Sequence, residues 1–164
     1  MNLYLMRHAI AAESAADVSD SQRALTAEGR NKLKQIVRNF KKLDLAFDLI
    51  LTSPYVRAHQ TAAMVAVAQG LNPKQVRISE ALMPMGSPEA LIAEINAYPR
   101  VENLLLVGHE PSLSQLVGLL LAGDSTLDIN FKKAGLCKLT VAQCINGRCA
   151  VLEWLLAPAQ LMAF

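Results

Sequence analysis

The side chains with the most chemical capacity fall in three short stretches. Arg7 and His8 follow directly on the apolar run Asn2-Leu3-Tyr4-Leu5-Met6, Arg57 closes Ser53-Pro54-Tyr55-Val56-Arg57, and His109 lies in Gly108-His109-Glu110-Pro111. Two guanidinium groups present planar forks of N–H donors, a geometry that matches tetrahedral phosphate. Two imidazoles add what a binding site alone does not need. One neutral ring can attack phosphorus and carry the phosphoryl group, while the other donates to oxygens whose charge is rearranged. Singly, each residue reads as an ordinary solvated polar group at the end of a strand. The chemistry depends on their meeting, and therefore on the elements that carry them.

Those elements alternate. Leu3 to Met6, Phe47 to Leu51, Val76 to Ile78 and Leu104 to Val107 are short apolar runs bounded by turn residues, the pattern of buried strands. Leu33, Ile36, Val37 and Phe40 recur at the spacing of one helix face, behind Thr26 as N-cap and Glu28 in the first turn. Pro54 is expected to open a second helix running to about Gln69, Ser87-Pro88-Glu89 a third, and Pro111 a fourth. Near the C-terminus, Leu136 to Cys144 and Arg148 to Leu155 flank Asn146-Gly147, a strong two-residue hairpin signal. The expected fold is α/β, a three-layer sandwich whose mainly parallel central sheet is flanked by helices and ends in an antiparallel hairpin, as one domain over residues 1–164. In such sheets ligands bind beyond the carboxyl ends of the strands. Arg7, His8, Arg57 and His109 all follow strand ends, so they are expected at one edge. The long polar stretch from Ala9 to Leu25 lies immediately behind His8, as functional loops do.

Composition narrows the partners. The 164 residues are 52% apolar and 18% charged, with a formal net charge of +2. That is a globular composition, and the charge is too small and scattered for nucleic acid or an anionic membrane. The apolar N-terminal run precedes its arginine, opposite to a signal peptide, and His109, Glu110 and Pro111 interrupt the only other long apolar stretch. A cytoplasmic protein is expected. Cys137, Cys144 and Cys149 lack the spacing of a zinc site and read as reduced thiols. In a two-residue turn, Cys144 and Cys149 would face each other as a non-hydrogen-bonded pair with α-carbons about 4.5 Å apart.

At these residues the chain resembles a known family. Arg7-His8-Ala9 is similar to the Arg-His-Gly signature of the histidine phosphatase (phosphoglycerate mutase-like) superfamily, with alanine in place of glycine. Ser53 to Ala62 resembles its second-arginine motif, and Val107-Gly108-His109-Glu110-Pro111 its second-histidine motif. The short chain and Arg23-Ala24-Leu25-Thr26-Ala27-Glu28-Gly29 most resemble phosphohistidine phosphatases of the SixA type. The resemblance implies that His8 is the nucleophile, that Arg7 and Arg57 clamp the phosphoryl oxygens, and that His109 donates to them. Arg23 would reach in from the loop as a fifth phosphate contact. Water would then hydrolyse phospho-His8, with no metal or other cofactor, since side chains supply the cations.

One absence sharpens the substrate. Relatives acting on phosphate esters carry a glutamate after the third strand to protonate the alkoxide; here the aligned position holds Leu82, with Glu80 two residues early. Imidazole, with a pKa of about 6.5, leaves with far less help than an alkoxide. N-linked phosphate is therefore favoured, on a phosphorylated protein such as a histidine-containing phosphotransfer domain, with inorganic phosphate as product. Glu80 and Glu110 remain candidates for an acid. A small-molecule phosphomonoesterase and a non-catalytic phosphate-binding module are the alternatives. His59 and the Lys132-Lys133 pair read as outside the chemistry.

Overall fold

Alternation along the strands sets the layers. In this computed structural model, which describes residues 1–14 and 16–164, Leu3 and Leu5 of β1 (Asn2–Arg7) join one apolar cluster, while Tyr4 and Met6 join the other. In β4 (Asn103–Gly108), Leu104 and Leu106 part in the same way from Leu105 and Val107. A strand buried on both faces needs helices on both faces. α1 (Ala27–Asn39), α2 (Val56–Gln69) and α5 (Pro158–Met162) cover one side, and α3 (Pro88–Asn96) and α4 (Ser112–Ala122) the other.

The remaining strands are β2 (Leu49–Thr52), β3 (Val76–Ile78), β5 (Leu136–Val141) and β6 (Ala150–Leu156). Their order across the sheet is β3-β2-β4-β1-β5-β6. β3, β2, β4 and β1 run parallel, while β5 is antiparallel to β1 and β6 to β5. The α/β sandwich therefore stands as expected, and the parallel strands aim their carboxyl ends at one edge. No helix among the described residues is long and apolar enough to cross a membrane.

Several boundaries differ from the sequence reading for physical reasons. β3 is an edge strand, so Arg77 and Ile78 are exposed and Val76 half-buried where a buried strand was expected. α2 starts at Val56 because Tyr55 is its N-cap and donates its backbone N–H to Ser53 Oγ, leaving Pro54 outside the helix. α5, unforeseen, packs on α1, and Asn39 donates to the Leu161 carbonyl.

The hairpin is the main correction. β5 and β6 pair from Leu136↔Leu156 to Val141↔Ala150, with a bulge between Lys138 and Leu139, so residues 142–149 form a wide loop instead of a two-residue turn. Its backbone is spent elsewhere: Cys144 accepts from Asn96 Nδ2 at 2.7 Å, and the Cys149 N–H donates to the Leu120 carbonyl at 2.9 Å. Docking on α3 and α4 overrides the local Asn-Gly preference. Cys144 and Cys149 are consequently not cross-strand partners, although their side chains still meet within the loop, and all three cysteines are free thiols.

The loop behind His8 folds back on itself. Ala11 and Leu25 form an isolated antiparallel bridge, Asp20–Gln22 make a 3-10 turn, and Thr26 donates its N–H to the Ile10 carbonyl; residue 15 lies outside the described residues. Gly29 makes this closure possible. A β-carbon there would sit 2.2 Å from the Ile10 carbonyl oxygen, closer than any non-bonded contact allows. Gly29→Ala should therefore lower stability by about 1–3 kcal/mol, the usual cost of overpacking, despite alanine's better helix propensity. Urea unfolding checks this; an unchanged or raised midpoint would show that the loop is not pinned to α1.

Candidate active site

Each chemically active side chain reaches the site from a strand end or the turn behind it. His8 leaves β1 with its N–H on the Gly108 carbonyl at 3.0 Å, which ties the first histidine segment to the second. Ser53 leaves β2 in the same manner, donating to Val107 at 3.0 Å. Arg57 occupies the first turn of α2, and His109 directly follows β4. On the far side of β1, Ala134 donates its N–H to the carbonyls of Arg7 and His8 from a left-handed conformation, φ 61°. Such a conformation is uncommon for a residue with a β-carbon, and here it seats the segment before β5 under the site.

The arrangement brings together four of the five predicted side chains. His8, Arg57 and His109 are buried, at 6%, 5% and 2% exposure, and Arg7 is half-buried. The His8 and His109 rings lie with centroids 5.0 Å apart. Arg57 Nε approaches His8 Nε2 at 3.2 Å. Arg7 Nη1 donates to the Phe131 carbonyl at 2.8 Å. Tyr55 walls the site, 5.1 Å from the His109 ring and 5.0 Å from the Arg57 guanidinium carbon.

Hydrogen-bond partners assign the tautomers. His8 Nδ1 lies 2.7 Å from the Ala9 carbonyl, which can only accept, so Nδ1 carries the proton and Nε2 the lone pair. His109 Nε2 lies 2.8 Å from Ser53 Oγ. Among the described residues the Ser53 hydroxyl, which accepts from the Tyr55 N–H, meets no acceptor other than this nitrogen, so its proton is assigned to His109 Nε2 and the His109 proton to Nδ1. Burial, opposed by the Ala9 carbonyl and reinforced by Arg57, Arg7 and Lys133, lowers the His8 pKa to about 4. Burial, with His8 and Arg57 adding to it, lowers that of His109 to about 3. Both rings are neutral at pH 7. Burial also lowers the Arg7 pKa, an effect that Glu110 partly offsets.

Among the described residues, two buried side-chain nitrogens lack a hydrogen-bond partner: Arg7 Nε and His109 Nδ1. Both belong to this site. A buried N–H without a partner is costly, and two around one nucleophilic nitrogen form a donor cage for an oxyanion.

Arg23 is placed differently from the expected fifth phosphate contact. Its Nε donates to the Ala12 carbonyl at 2.7 Å and its Nη1 meets Asp20 Oδ1 at 2.6 Å. Asp20 in turn holds Arg57, accepting from Nη1 at its carbonyl (2.5 Å) and from Nη2 at Oδ2 (3.0 Å). Arg23 therefore connects to the site through Asp20. Sequence reasoning missed Asp20; its place three residues before Arg23 in the loop behind His8 was the available signal. Partial burial works to raise the Asp20 pKa, but hydrogen bonds from Arg23 and Arg57 outweigh it and hold the carboxyl below its ordinary value.

The other candidates stand outside the cage. Glu110 Oε1 accepts from the Ser114 N–H and so caps the first turn of α4. Glu80 is exposed, and Leu82 is buried against Gly108, its Cδ2 3.3 Å from where a β-carbon would stand. His59 is exposed. Lys133 is exposed as expected of a solvated lysine, yet near enough to His8 to depress its pKa.

The chain is similar to several known proteins. Residues 3–87 match the model of the histidine phosphatase superfamily (branch 1). An uncharacterized protein of Picosynechococcus is 37% identical over 83% of this chain and 82% of its own. Phosphohistidine phosphatase SixA of Escherichia coli is 28% identical over 98% of this chain and 96% of its own. A solved structure of the protein histidine phosphatase SixA complexed with tungstate superposes with a TM-score of 0.84 at 27% identity, covering 98% of this chain and 99% of that one. With strand-end arginines and histidines closing on one cage, and a family match over more than half its length, the chain belongs to the histidine phosphatase superfamily, branch 1.

Proposed function

We propose that this phosphatase hydrolyses phosphohistidine on a protein, through a covalent phospho-His8 intermediate. The observation that carries the reading is the pair of unpartnered buried donors, Arg7 Nε and His109 Nδ1, beside a His8 ring whose Nε2 lone pair is available. That cage fits a tetrahedral oxyanion, and the likeness to a SixA structure holding tungstate, itself such an oxyanion, supports it.

In the first step the His8 Nε2 lone pair attacks phosphorus and the P–N bond to the substrate imidazole breaks. The departing ring leaves neutral, having taken a proton from solvent on its other nitrogen. The Ala9 carbonyl, already bonded to His8 Nδ1–H, stabilises the positive charge that the phosphorylated His8 ring acquires. Arg57 must turn its Nε–H from His8 Nε2 onto a phosphoryl oxygen, while Arg7 and His109 supply the other donors. Water then attacks phospho-His8, releasing inorganic phosphate and restoring the neutral ring. The guanidinium groups supply the positive charge in this scheme, so it calls on no metal.

The carboxylates favour nitrogen over oxygen as leaving atom. Asp20 is held ionised by Arg23 and Arg57, Glu110 caps α4, Glu80 is exposed, and Leu82, where the family resemblance would put the ester-cleaving acid, is a buried apolar residue. An alkoxide would depart without a proton donor.

The direct test compares phosphohistidine with phosphoester substrates and traps the enzyme intermediate. The wild type should favour phosphohistidine and accumulate acid-labile phosphate on His8, and His8→Ala should lose turnover while still binding phosphate. Normal turnover in His8→Ala, or a preference for esters, would sink the proposal.

The bridge through Asp20 makes a second expectation. Asp20→Asn and Arg23→Ala should each lower kcat/KM about tenfold, with the double variant little worse than either, because both free the same Arg57 fork. Strictly multiplicative losses would place Arg23 on the phosphate independently of Asp20.

The third concerns protonation. Imidazole 15N resonances should show His8 as the neutral Nδ1–H form at pH 7, protonating near pH 4. Since folding lowers this pKa below the ordinary 6.5, the ring's contribution to stability is complete above about pH 6.5 and is lost as pH falls toward 4. A His8 midpoint at 6 or above would contradict the burial argument.

A further inference from the structure

α2 presents an unusual face to solvent. After His59 it carries no ionisable residue, and its outward positions there are Ala63, Val67 and Ala68, with Val67 82% exposed and Met64 half-buried. A solvated helix face ordinarily bears charge. Alongside runs α1, with Arg30, Lys34 and Arg38 at every fourth position and no ion pair to any of them among the described residues. Between the helices lies a groove of about 430 Å³, floored by Val37 and Met64 and edged by those three cations.

One end of the groove lies near the active site. Gln60, which lines it, lies one helical turn beyond Arg57, and its Oε1 accepts from the Leu25 N–H at the end of the loop that carries Asp20 and Arg23. From Arg57 to Val67 the rise along α2 is about 15 Å, three turns. An occupant lying in the groove therefore has one end about one helical turn from Arg57, the residue that contacts His8.

We infer that this groove docks an amphipathic helix of the phosphoprotein substrate, with its apolar face on Met64, Val67 and Ala68 and a row of acidic side chains on Arg30, Lys34 and Arg38. The inference rests on the phosphohistidine reading above and names the surface that selects the protein. The cations stand on one rim only and are spaced about 6 Å apart along α1, the spacing of side chains four apart on an opposing helix. Alanines at 63 and 68 leave room for close approach. A flat anionic bilayer would not require a one-sided rim, and a second copy of this chain would bring its own cations against these.

The test uses two substrates: a histidine phosphotransfer domain phosphorylated on its histidine and bearing an acid-rich helix, and free phosphohistidine. The K34E/R38E and V67D variants should raise KM for the domain at least tenfold at low salt with kcat little changed, and leave kcat/KM on free phosphohistidine within twofold. The charge-reversal penalty should shrink at high salt. Unchanged KM on the domain, or equal losses on both substrates, overturns the docking assignment while the phosphohistidine reading stands. Wild-type enzyme inactive on both substrates but active on phosphoesters would instead overturn that reading, and the docking assignment with it. Sedimentation and flotation with phosphatidylserine vesicles close the test: self-association or vesicle binding lost in V67D, with the domain's KM unaffected, would assign the groove to that other occupant.

Discussion

Two guanidinium groups and two imidazoles crowd one largely buried pocket, with one exposed carboxylate, Asp20, in hydrogen-bond contact, and the other features of the molecule follow from that crowding. Charges removed from water must be matched or neutralised. The imidazoles comply by staying neutral, each with its proton fixed by one neighbour, Ala9 for His8 and Ser53 for His109. Arg57 complies by pairing with Asp20. Arg7 has a carbonyl, Phe131, but among the described residues no ion pair, and its Nε has no partner at all. The pocket thus holds an excess of positive charge and spare donors, complementary to a tetrahedral oxyanion such as a phosphoryl group.

Keeping such a pocket assembled requires rigid attachment. β1 lies between β4 and β5, so His8 is fixed from both flanks, by the Gly108 carbonyl on one and the Ala134 N–H on the other. α2 delivers Arg57 from its first turn, where Thr61 accepts from the Ala9 N–H and donates to the Arg57 carbonyl. The loop that brings Asp20 is closed by the bridge of Ala11 to Leu25 and by the approach of Gly29 to Ile10. The precision of the site comes from strands and helix starts, and the loop adds the counter-charge.

What the sequence made legible was whatever repeats or terminates. Leu3 to Met6 and Leu104 to Val107 read as strands because both faces are buried, and the residues just past them were placed at one edge by topology alone. Arg7, His8, Arg57 and His109 were found because they stand where strands stop. Asp20 has no such marker. Its role depends on a three-dimensional bridge between Arg57 and Arg23, residues far apart in the chain, and an aspartate among serines in a polar loop looks like a solvated turn residue. The same limit hid the bond of Arg23 to Asp20 and misread the turn of the hairpin. Asn146-Gly147 is a valid local signal, but Asn96 and Leu120 offered the loop backbone better partners than a tight turn would have had.

The proposed leaving group rests on the same electrostatics. An acid that protonates a departing alkoxide must itself be neutral at working pH, which requires a carboxyl whose pKa is raised by burial or by a like charge. The cage does the reverse: with Arg23 and Arg57 bonded to it, Asp20 is held below its ordinary value. Placing a proton there would give up two charge-assisted bonds and release the Arg57 fork just as it is needed on the phosphoryl group. Imidazole makes no such demand, because at a pKa of about 6.5 it takes its proton from water, whereas an alkoxide lies near the water value of about 15.7. A pocket that spends its single bonded carboxylate on holding an arginine in place is chemically suited to a substrate whose leaving atom is nitrogen.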